Sequence, residues 1–234
     1  MELLNKITQG DCLEMLRKTP DGSVDLVVTD PPYGIDYRSN WSKDAEYRAK
    51  VKTVDGIAND GANNTQFLSD VIDELQRVMK DNTHIYWFTR WDQVPKQLPL
   101  LQRYFTVKNA IIWDKGNWSM GDLRGAYAGQ YEVILFAQKG RRLLNEVDGT
   151  KRHPDILRYN RVPAAKLRHS HEKPEELIEL LIRKSSEPGE LVCDPFCGGG
   201  TIPAVAKRLG RDFITAEIDE HNVKISEQRL QEAV

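Results

Sequence analysis

The sequence predicts an α/β fold with a doubly wound, mixed but mainly parallel sheet. Short apolar runs rich in β-branched residues alternate along the chain with amphipathic stretches, the pattern of strands that are connected by helices. A length of 234 residues suits one domain of this class. Hydrophobic residues make up 40% of the chain and charged residues 29%, which excludes a disordered, collagen-like or coiled-coil protein.

The predicted elements of the first half follow from apolar patterns in chain order. A buried strand over 24–29 ends at the turn that begins with Asp30. Residues 36–63 are polar and mixed in charge, so we expect a long loop there. Apolar residues recur at helical spacing from Phe67 to Val78, with Thr65 near the expected N-cap. The sequence further predicts a helix over 92–103 and strands over 84–88, 107–113 and 131–138.

The second half regains a regular pattern at Pro174. Proline at the first helical position, followed by Glu175 and Glu176, predicts a helix start, because acidic side chains stabilise the positive end of a helix. Beyond this helix the sequence predicts a strand over 191–193, a glycine-rich turn over 194–200, a helix over 201–209, a strand over 213–216 and a last helix over 221–230. No internal repeat interrupts the pattern, so residues 1–234 are treated as a single domain.

Composition also bears on where the protein works. The longest apolar runs are far shorter than the roughly 20 residues of a membrane-spanning helix. The N-terminus lacks the basic and apolar regions of a signal peptide. Three cysteines are an odd and low number, which fits a reducing compartment. We therefore expect a cytoplasmic protein that has no membrane partner.

Charge is unevenly distributed along the chain. The net charge is −2, but residues 141–171 carry +5 and the other 203 residues carry −7. A basic segment on an acidic body is typical of a nucleic-acid binder with one binding face, and a solvated loop without a partner is the alternative. The candidate DNA-binding residues of this segment are Arg141, Arg142, Lys151, Arg152, Arg158, Arg161, Lys166 and Arg168.

A glycine-rich turn between a strand and a helix indicates a nucleoside cofactor. Gly198, Gly199 and Gly200 allow the backbone to approach a ligand closely, and the following helix presents its amide hydrogens to it. Glu217 ends the next predicted strand, 19 residues after Gly198, where a carboxylate can accept hydrogen bonds from both ribose hydroxyls. This unit alone does not distinguish NAD from S-adenosylmethionine.

Two cysteines, Cys193 and Cys197, lie four residues apart in the same unit. A zinc site would need two further ligands at a suitable spacing, and the sequence offers none. We therefore interpret both as buried structural cysteines and expect no metal.

The tetrad Asp30-Pro31-Pro32-Tyr33 is the most specific feature of the sequence. An amino group on adenine or cytosine is a poor nucleophile, because its lone pair is conjugated to the ring. Two acceptors aimed at its hydrogens, the Asp30 carboxylate and the Pro31 carbonyl, would make the nitrogen more tetrahedral. The prolines fix the backbone that holds these acceptors, and Tyr33 offers a flat face on which the base can stack.

With these motifs the chain resembles the β class of DNA amino-methyltransferases, the Asp-Pro-Pro-Tyr type of the N6-adenine-specific family. The resemblance covers nearly the whole chain and implies a Rossmann-like, S-adenosylmethionine-dependent methyltransferase fold with circularly permuted motif order. It implies one catalytic domain over 1–234, in which 36–63 form a lid loop and 141–171 a basic target-recognition insert.

The resemblance also implies roles for individual residues. Asp30, Pro31, Pro32 and Tyr33 correspond to the catalytic motif. Asp11, after Gly10, would read the cofactor's adenine, and Lys173 would face its methionine carboxylate. The implied cofactor-binding residues are Asp11, Cys12, Lys173, Asp194, Phe196, Cys197, Gly198, Gly200, Thr201 and Glu217. Two positions depart from the family pattern: Gly199 stands where the family often has serine, and Pro203 lies in the first helical turn.

The implied reaction is methylation of the exocyclic N6 of adenine in double-stranded DNA, on a base that is flipped out of the duplex. N4-cytosine methylation is the alternative, because a carboxylate accepts from either amino group. A catalytically silent subunit that binds DNA or cofactor and a nicotinamide oxidoreductase are the other readings. The oxidoreductase gives no role to the tetrad at Asp30. The resemblance further suggests a homodimer and a restriction endonuclease partner.

Overall fold

The structure is a computed structural model of the chain, and it describes residues 2–33, 61, 64–118, 124–169 and 171–233. The elements within these residues are β1 (Ile7–Gln9), α1 (Cys12–Lys18), β2 (Val24–Thr29), α2 (Thr65–Val78), β3 (Met79–Thr89), α3 (Val94–Gln102), β4 (Thr106–Asp114), β5 (Tyr131–Lys139), β6 (Ile156–Arg158), a 3-10 helix (Ala164–Lys166), α4 (Glu175–Ser185), β7 (Leu191–Asp194), α5 (Thr201–Arg208), β8 (Asp212–Glu217) and α6 (Glu220–Glu232).

The described strands form one eight-stranded sheet in the order β1-β8-β7-β2-β3-β5-β4-β6. β5 is antiparallel to both of its neighbours, and every other neighbouring pair is parallel. The α/β class and the mixed, mainly parallel sheet predicted from the sequence are therefore confirmed.

Helices cover both faces of this sheet, as a parallel sheet requires. On one face Trp87 of β3 packs with apolar residues of α1, α2 and α3. On the other face its neighbours Tyr86 and Phe88 pack with α4 and α5. Each large apolar side chain that is fully buried here contributes about 1.5–3 kcal/mol to folding. The two layers of helices therefore pack the strands from both sides and fix the positions of the strand ends relative to one another.

Register brings the carboxyl ends of four strands to one edge of the sheet. Gln9 of β1 pairs with Glu217 of β8, and Asp194 of β7 pairs with Thr215. β2 ends at Thr29, at the same edge, and Asp30 follows it directly. The ends of open parallel strands are the usual position for ligands in this class of fold.

The predicted elements agree with the structure to within two residues except for one strand, and three of the observed α-helices and strands were not predicted. β3 begins at Met79 rather than at residue 84, because an exposed polar stretch precedes its buried part. α4 begins at Glu175, so Pro174 is the N-cap residue and not the first helical residue, which corrects the predicted start. β1, α1 and β6 were not predicted as elements; the two strands have only three residues each.

The predicted lid over 36–63 lies outside the described residues except for Gly61, and its role stays a prediction. Across the described part of the chain, no helix is both long and apolar enough to cross a membrane.

Candidate active site

The four neighbouring strand ends carry the predicted site residues in a row. Asp11 follows β1, Glu217 ends β8, Asp194 ends β7 and Asp30 follows β2. Adjacent strands lie about 4.8 Å apart, so the row spans about 14 Å. The structure therefore brings three of the predicted cofactor-binding residues, Asp11, Glu217 and Asp194, into a row on one side of Asp30.

Asp11 is fixed by the start of α1. Its Oδ1 accepts a hydrogen bond from the Leu13 amide at 2.7 Å, and the Gly10 amide donates to the Glu217 carbonyl at 2.9 Å. The cap and the strand pairing place the Asp11 carboxylate beside the end of β8. Cys12 is buried under the helix, and burial raises the pKa of its thiol to about 12, so it acts as an unreactive packing group.

Glu217 is held against the glycine-rich turn by two backbone amides. Its Oε2 accepts from the Gly198 amide and its Oε1 from the Asp219 amide, both at 2.8 Å. Burial raises the pKa of this carboxyl, while the two amides oppose that change. The carboxylate is thus pre-positioned at the strand end, where ribose hydroxyls would need an acceptor.

The three glycines of the turn are required by contact and by backbone conformation. Gly198 and Gly200 have positive φ angles of 51° and 77°. A Cβ on Gly200 would lie 2.8 Å from the Cα of Ser226, and one on Gly199 would lie 2.6 Å from the Cβ of His169. The departure of Gly199 from the family's frequent serine therefore has a physical cause, since His169 fills the space that a side chain would need.

His169 is a site residue that the sequence did not indicate. It belongs to the basic segment 141–171, yet its ring packs on the glycine turn, 3.5 Å from the point where a Cβ on Gly198 would lie. Burial lowers the pKa of His169 to about 4, and electrostatic repulsion from His171 and Lys173 adds to this effect. His169 is therefore a neutral cover on the turn at neutral pH.

The remaining residues of the turn are tied to the surrounding elements. Phe196 makes an edge-to-face contact with Phe67, with ring centroids 6.0 Å apart. The Thr201 hydroxyl accepts a hydrogen bond from Arg229 at 2.5 Å. Cys197 is free and buried, as are Cys12 and Cys193, which agrees with the structural interpretation of the cysteines.

Asp194 provides a test of whether this edge fits an amino-acid-bearing nucleoside. It is 2% exposed, and its Oδ1 accepts from the Thr29 hydroxyl at 2.9 Å and from the Phe196 amide at 3.1 Å. Its Oδ2 is buried without a hydrogen-bond partner among the described residues, and burial raises the pKa of the carboxyl to about 7. An orphaned carboxylate oxygen needs a donor. An ammonium group would supply one, so the residues present fit such a cofactor.

The tetrad Asp30-Pro31-Pro32-Tyr33 is partly enclosed. Pro31 and Pro32 are buried, and the Asn64 side-chain amide donates to the Pro32 carbonyl at 2.8 Å. The Tyr33 hydroxyl donates to Asp30 Oδ1 at 2.6 Å. Burial raises the pKa of Tyr33 well above its usual value, and the nearby carboxylates raise it further, so the hydroxyl keeps its proton.

Lys173 reaches the same carboxylate from the start of α4. Its Nζ lies 2.5 Å from Asp30 Oδ2 and 3.3 Å from Glu132 Oε2. Burial would lower the pKa of Lys173, but the carboxylates of Asp30 and Glu132 raise it above its usual value. The structure thus pairs Lys173 with Asp30, and its predicted contact with a methionine carboxylate stays a prediction.

Glu132, the second residue of β5, is a further site residue that sequence reasoning missed. Lys115 donates to its Oε1 at 2.6 Å, on the side away from Lys173. Burial would raise the pKa of Glu132, but the two lysines lower it to about 2. The only sequence signal is its position in an apolar strand, where Glu132 shares a face with the core residues Ile134 and Phe136.

The basic segment does not form one face. Lys139, at the end of antiparallel β5, pairs with Thr83 near the start of β3, whereas Thr29, before Asp30, pairs with Trp87. Arg141 and Arg142 therefore follow β5 at the sheet edge opposite the site. Arg142 pairs there with Glu190 at 2.7 Å, and the Lys151 carbonyl accepts from Lys184 of α4 at 3.1 Å.

Two of the later basic residues, Arg158 and Arg168, lie near the sheet edge that holds Asp30. Arg158 ends β6, beside Asp114 at the end of β4. The Arg168 amide donates to Glu172, and the Arg168 side chain pairs with Glu232 at 2.6 Å. Arg161 and Lys166 lie between them in the chain and are exposed. Arg152 is exposed next to Lys151, on the segment that leads from the opposite edge to β6.

The chain is similar in sequence to known DNA methyltransferases. The family model of N6/N4 DNA methylases matches residues 24–228. The type II methyltransferase M.BglII of Bacillus subtilis is 29% identical, over 97% of this chain and 69% of its own length. The DNA adenine methyltransferase YhdJ of Escherichia coli K12 is 30% identical, over 96% of this chain and 82% of its own length.

Solved structures share the fold at lower sequence identity. The complex of M1.HpyAVI with S-adenosylmethionine has a TM-score of 0.70 and 21% identity, and the match covers 96% of this chain and 98% of that one. The PvuII DNA methyltransferase, which is cytosine-N4-specific, has a TM-score of 0.76 and 16% identity, with coverage of 96% and 88%. The family match over most of the sequence agrees with the row of site residues at the sheet edge, and the chain therefore belongs to the N6/N4 DNA methylases.

Proposed function

We propose that this DNA methyltransferase uses S-adenosylmethionine to methylate the exocyclic N6 of adenine in double-stranded DNA. The observation that carries the proposal is the row Asp11, Glu217, Asp194 and Asp30 at one sheet edge. Three of these carboxylates suit a nucleoside that bears an amino acid. The fourth, at the end of the row, can accept hydrogen bonds from the amino group of a base.

Each of the first three carboxylates has a proposed partner on the cofactor. Asp11 accepts from the adenine amino group, and Glu217 accepts from the ribose hydroxyls. Asp194 offers its orphaned Oδ2 to the ammonium group. The amides at the start of α5 and the glycine turn allow the ligand to approach the backbone closely. Cys12, Phe196, Cys197 and Thr201 are assigned the supporting contacts of the same site.

Asp30 is proposed to act on the target nitrogen. When bound, the cofactor supplies an electrophilic methyl group. The Asp30 carboxylate and the Pro31 carbonyl accept hydrogen bonds from the target amino group, which frees its lone pair from the ring. Tyr33 provides the stacking face. The base has to leave the duplex to reach Asp30, because its amino group is inaccessible within the base stack.

Adenine is proposed over cytosine on two grounds. The tetrad begins with Asp30, which the resemblance associates with adenine, and the similar protein YhdJ is named as a DNA adenine methyltransferase. A fold shared with a cytosine-N4-specific enzyme does not decide the base, since that likeness concerns architecture only.

Arg158, Arg161, Lys166 and Arg168 are proposed to contact DNA phosphates. They follow β6 at the edge that holds Asp30. Arg141, Arg142 and Lys151 are left out, because they lie at the opposite edge. A closing lid over 36–63, a homodimer and a restriction endonuclease partner remain proposals from the resemblance alone.

The test is methyl transfer from labelled S-adenosylmethionine into unmethylated genomic DNA by the purified chain, followed by nucleoside analysis. We expect label in N6-methyladenine. Label in N4-methylcytosine alone would contradict the adenine assignment. No transfer, with DNA or cofactor still bound, would indicate a catalytically silent subunit.

A further inference from the structure

We propose that Glu132 is a positioning residue that takes two donors, the Tyr33 hydroxyl and the Lys173 ammonium, away from Asp30 when the target amino group binds. This inference rests on the proposed role of Asp30. It concerns a residue outside the recognised motifs, on the antiparallel strand β5.

Both oxygens of Asp30 are already engaged in this structure. Oδ1 accepts from the Tyr33 hydroxyl at 2.6 Å, and Oδ2 lies 2.5 Å from Lys173 Nζ. A carboxylate in these two short contacts has much of its negative charge compensated. The incoming amino group therefore competes with two donors of the protein itself for the acceptor that it needs.

Glu132 offers an alternative acceptor to both donors. Its Oε2 lies 3.5 Å from the Tyr33 hydroxyl and 3.3 Å from Lys173 Nζ. Shifts of less than about 1 Å would shorten both contacts to ordinary hydrogen bonds with Glu132. The two donors thus lie between two carboxylates, strongly bonded to Asp30 and within reach of Glu132.

The surroundings hold Glu132 still while allowing the lysine head group to move. Lys115 fixes the other oxygen of Glu132 at 2.6 Å. Lys173 Nζ lies 5.3 Å from the Phe88 ring centroid and 5.9 Å from that of Trp113, in contacts that do not require one fixed position. The residue before Lys173, Glu172, is anchored by Arg229 at 2.5 Å, so the backbone of this segment stays in place.

Negative charge is the property that makes Glu132 suitable for this role. Lys173 is 7% exposed, so its ammonium cannot leave one carboxylate without another nearby. If Glu132 were neutral, Lys173 would remain committed to Asp30. The target amino group would then meet a weakened acceptor, although the residues proposed to contact cofactor and DNA would all remain.

Glu132→Gln tests this, because it keeps the size of the side chain and removes its charge. The assay is single-turnover transfer into unmethylated genomic DNA at saturating enzyme and labelled S-adenosylmethionine. We expect the rate to fall about 10- to 100-fold, because small misplacements of reacting groups cause losses of this size. The Kd values for cofactor and DNA should stay within about threefold of wild type, because Glu132 is not proposed to contact either ligand.

Two further variants separate positioning from structural support. Glu132→Asp retains the charge. On a logarithmic scale of rate, it should recover at least about a third of the loss caused by Glu132→Gln. In a Tyr33→Phe background one of the two donors is gone, so Glu132→Gln should cost at least about threefold less than in wild type. The matched control is Glu190→Gln, which breaks the Arg142 ion pair at the opposite edge and should leave the rate unchanged.

The outcomes distinguish failure of this inference from failure of the proposed function on which it rests. If Asp30→Ala is inactive but Glu132→Gln transfers methyl groups at the wild-type rate, the role of Glu132 is wrong and that of Asp30 stands. If Asp30→Ala remains active, the proposed function of the tetrad is wrong. Equal losses in Glu132→Gln and Glu132→Asp, with reduced thermal stability, would assign Glu132 a structural role and overturn the proposal.

Discussion

Asp30 receives its surroundings from four separate parts of the chain. Tyr33 is its near neighbour, while Lys173, Glu132 and Lys115 come from the start of α4, from β5 and from the loop after β4. A short motif therefore provides the carboxylate that is proposed to act on the base, and long-range packing determines what that carboxylate contacts in this structure.

Asp30→Ala should abolish methyl transfer and leave S-adenosylmethionine affinity within several-fold of wild type. The reason is that Asp30 is proposed to act on the base, whereas Asp11, Glu217 and Asp194 are proposed to hold the cofactor. Turnover measured with labelled cofactor and affinity measured by calorimetry check both statements. Turnover above about a tenth of wild type would refute the assigned role, because removal of such a group costs at least 10²-fold in rate.

Gly199→Ser should destabilise the protein although serine is frequent at this position in the family. The new Cβ would lie 2.6 Å from the Cβ of His169, and overpacking of this kind costs about 1–3 kcal/mol. Denaturant unfolding measures the loss. His169→Gly, which removes the Cβ in this contact, should restore part of the stability when combined with Gly199→Ser. A double variant as unstable as Gly199→Ser alone would show that the contact is not the cause.

At the scale of elements, periodicity predicted the long helices and strands because each has a face that must be buried. The apolar spacing from Phe67 to Val78 predicted α2 to within two residues. β1 and β6 have three residues each, too few for any period to be visible. These two strands form because β8 and β4 offer them free backbone hydrogen-bonding groups. A local sequence pattern does not show that such a neighbouring strand is present.

The same reasoning explains which site residues could be predicted. Asp30 and the glycine turn belong to contiguous motifs, and Glu217 follows at a spacing that one strand–helix–strand unit sets. Glu132 and His169 are isolated residues that reach the site only through the pairing of β5 and through packing on the glycine turn. Their roles depend on contacts between distant segments, which the sequence does not display.

A buried neutral histidine, His84, lies where β3 packs against the end of α4. His84 Nε2 lies 3.1 Å from the Arg142 carbonyl, so it donates there, and Nδ1 accepts from the Ser185 hydroxyl at 2.8 Å. The Tyr86 hydroxyl lies 2.8 Å from the same Ser185 oxygen. Burial lowers the pKa of His84 to about 4.

This histidine should make stability depend on pH. Its pKa is lower in the folded than in the unfolded state, where it is about 6.5. The stabilisation is therefore complete above pH 6.5 and is lost as the pH falls toward 4, at about 1.4 kcal/mol per pH unit. Unfolding of wild type and His84→Gln across this range measures the difference. Equal pH slopes in the two proteins would contradict the account.

At the scale of the whole molecule, the two edges of the sheet should differ in their contribution to DNA binding. Arg161→Ala with Lys166→Ala should flatten the salt dependence of DNA binding by up to about 1.8 in the logarithmic slope. Arg141→Ala with Lys151→Ala removes the same charge at the opposite edge and should leave the slope unchanged. Equal slopes for both pairs would show that the basic segment does not bind DNA through the edge that holds Asp30.

Modified bases in the DNA of a living host show whether Asp30 directs methyl transfer to adenine N6. DNA from a methylation-free bacterial host that expresses the chain should be sequenced with detection of modified bases. We expect N6-methyladenine at a defined sequence in cells with the wild-type chain and none in cells with Asp30→Ala. N4-methylcytosine without N6-methyladenine, or N6-methyladenine that persists with Asp30→Ala, would contradict it.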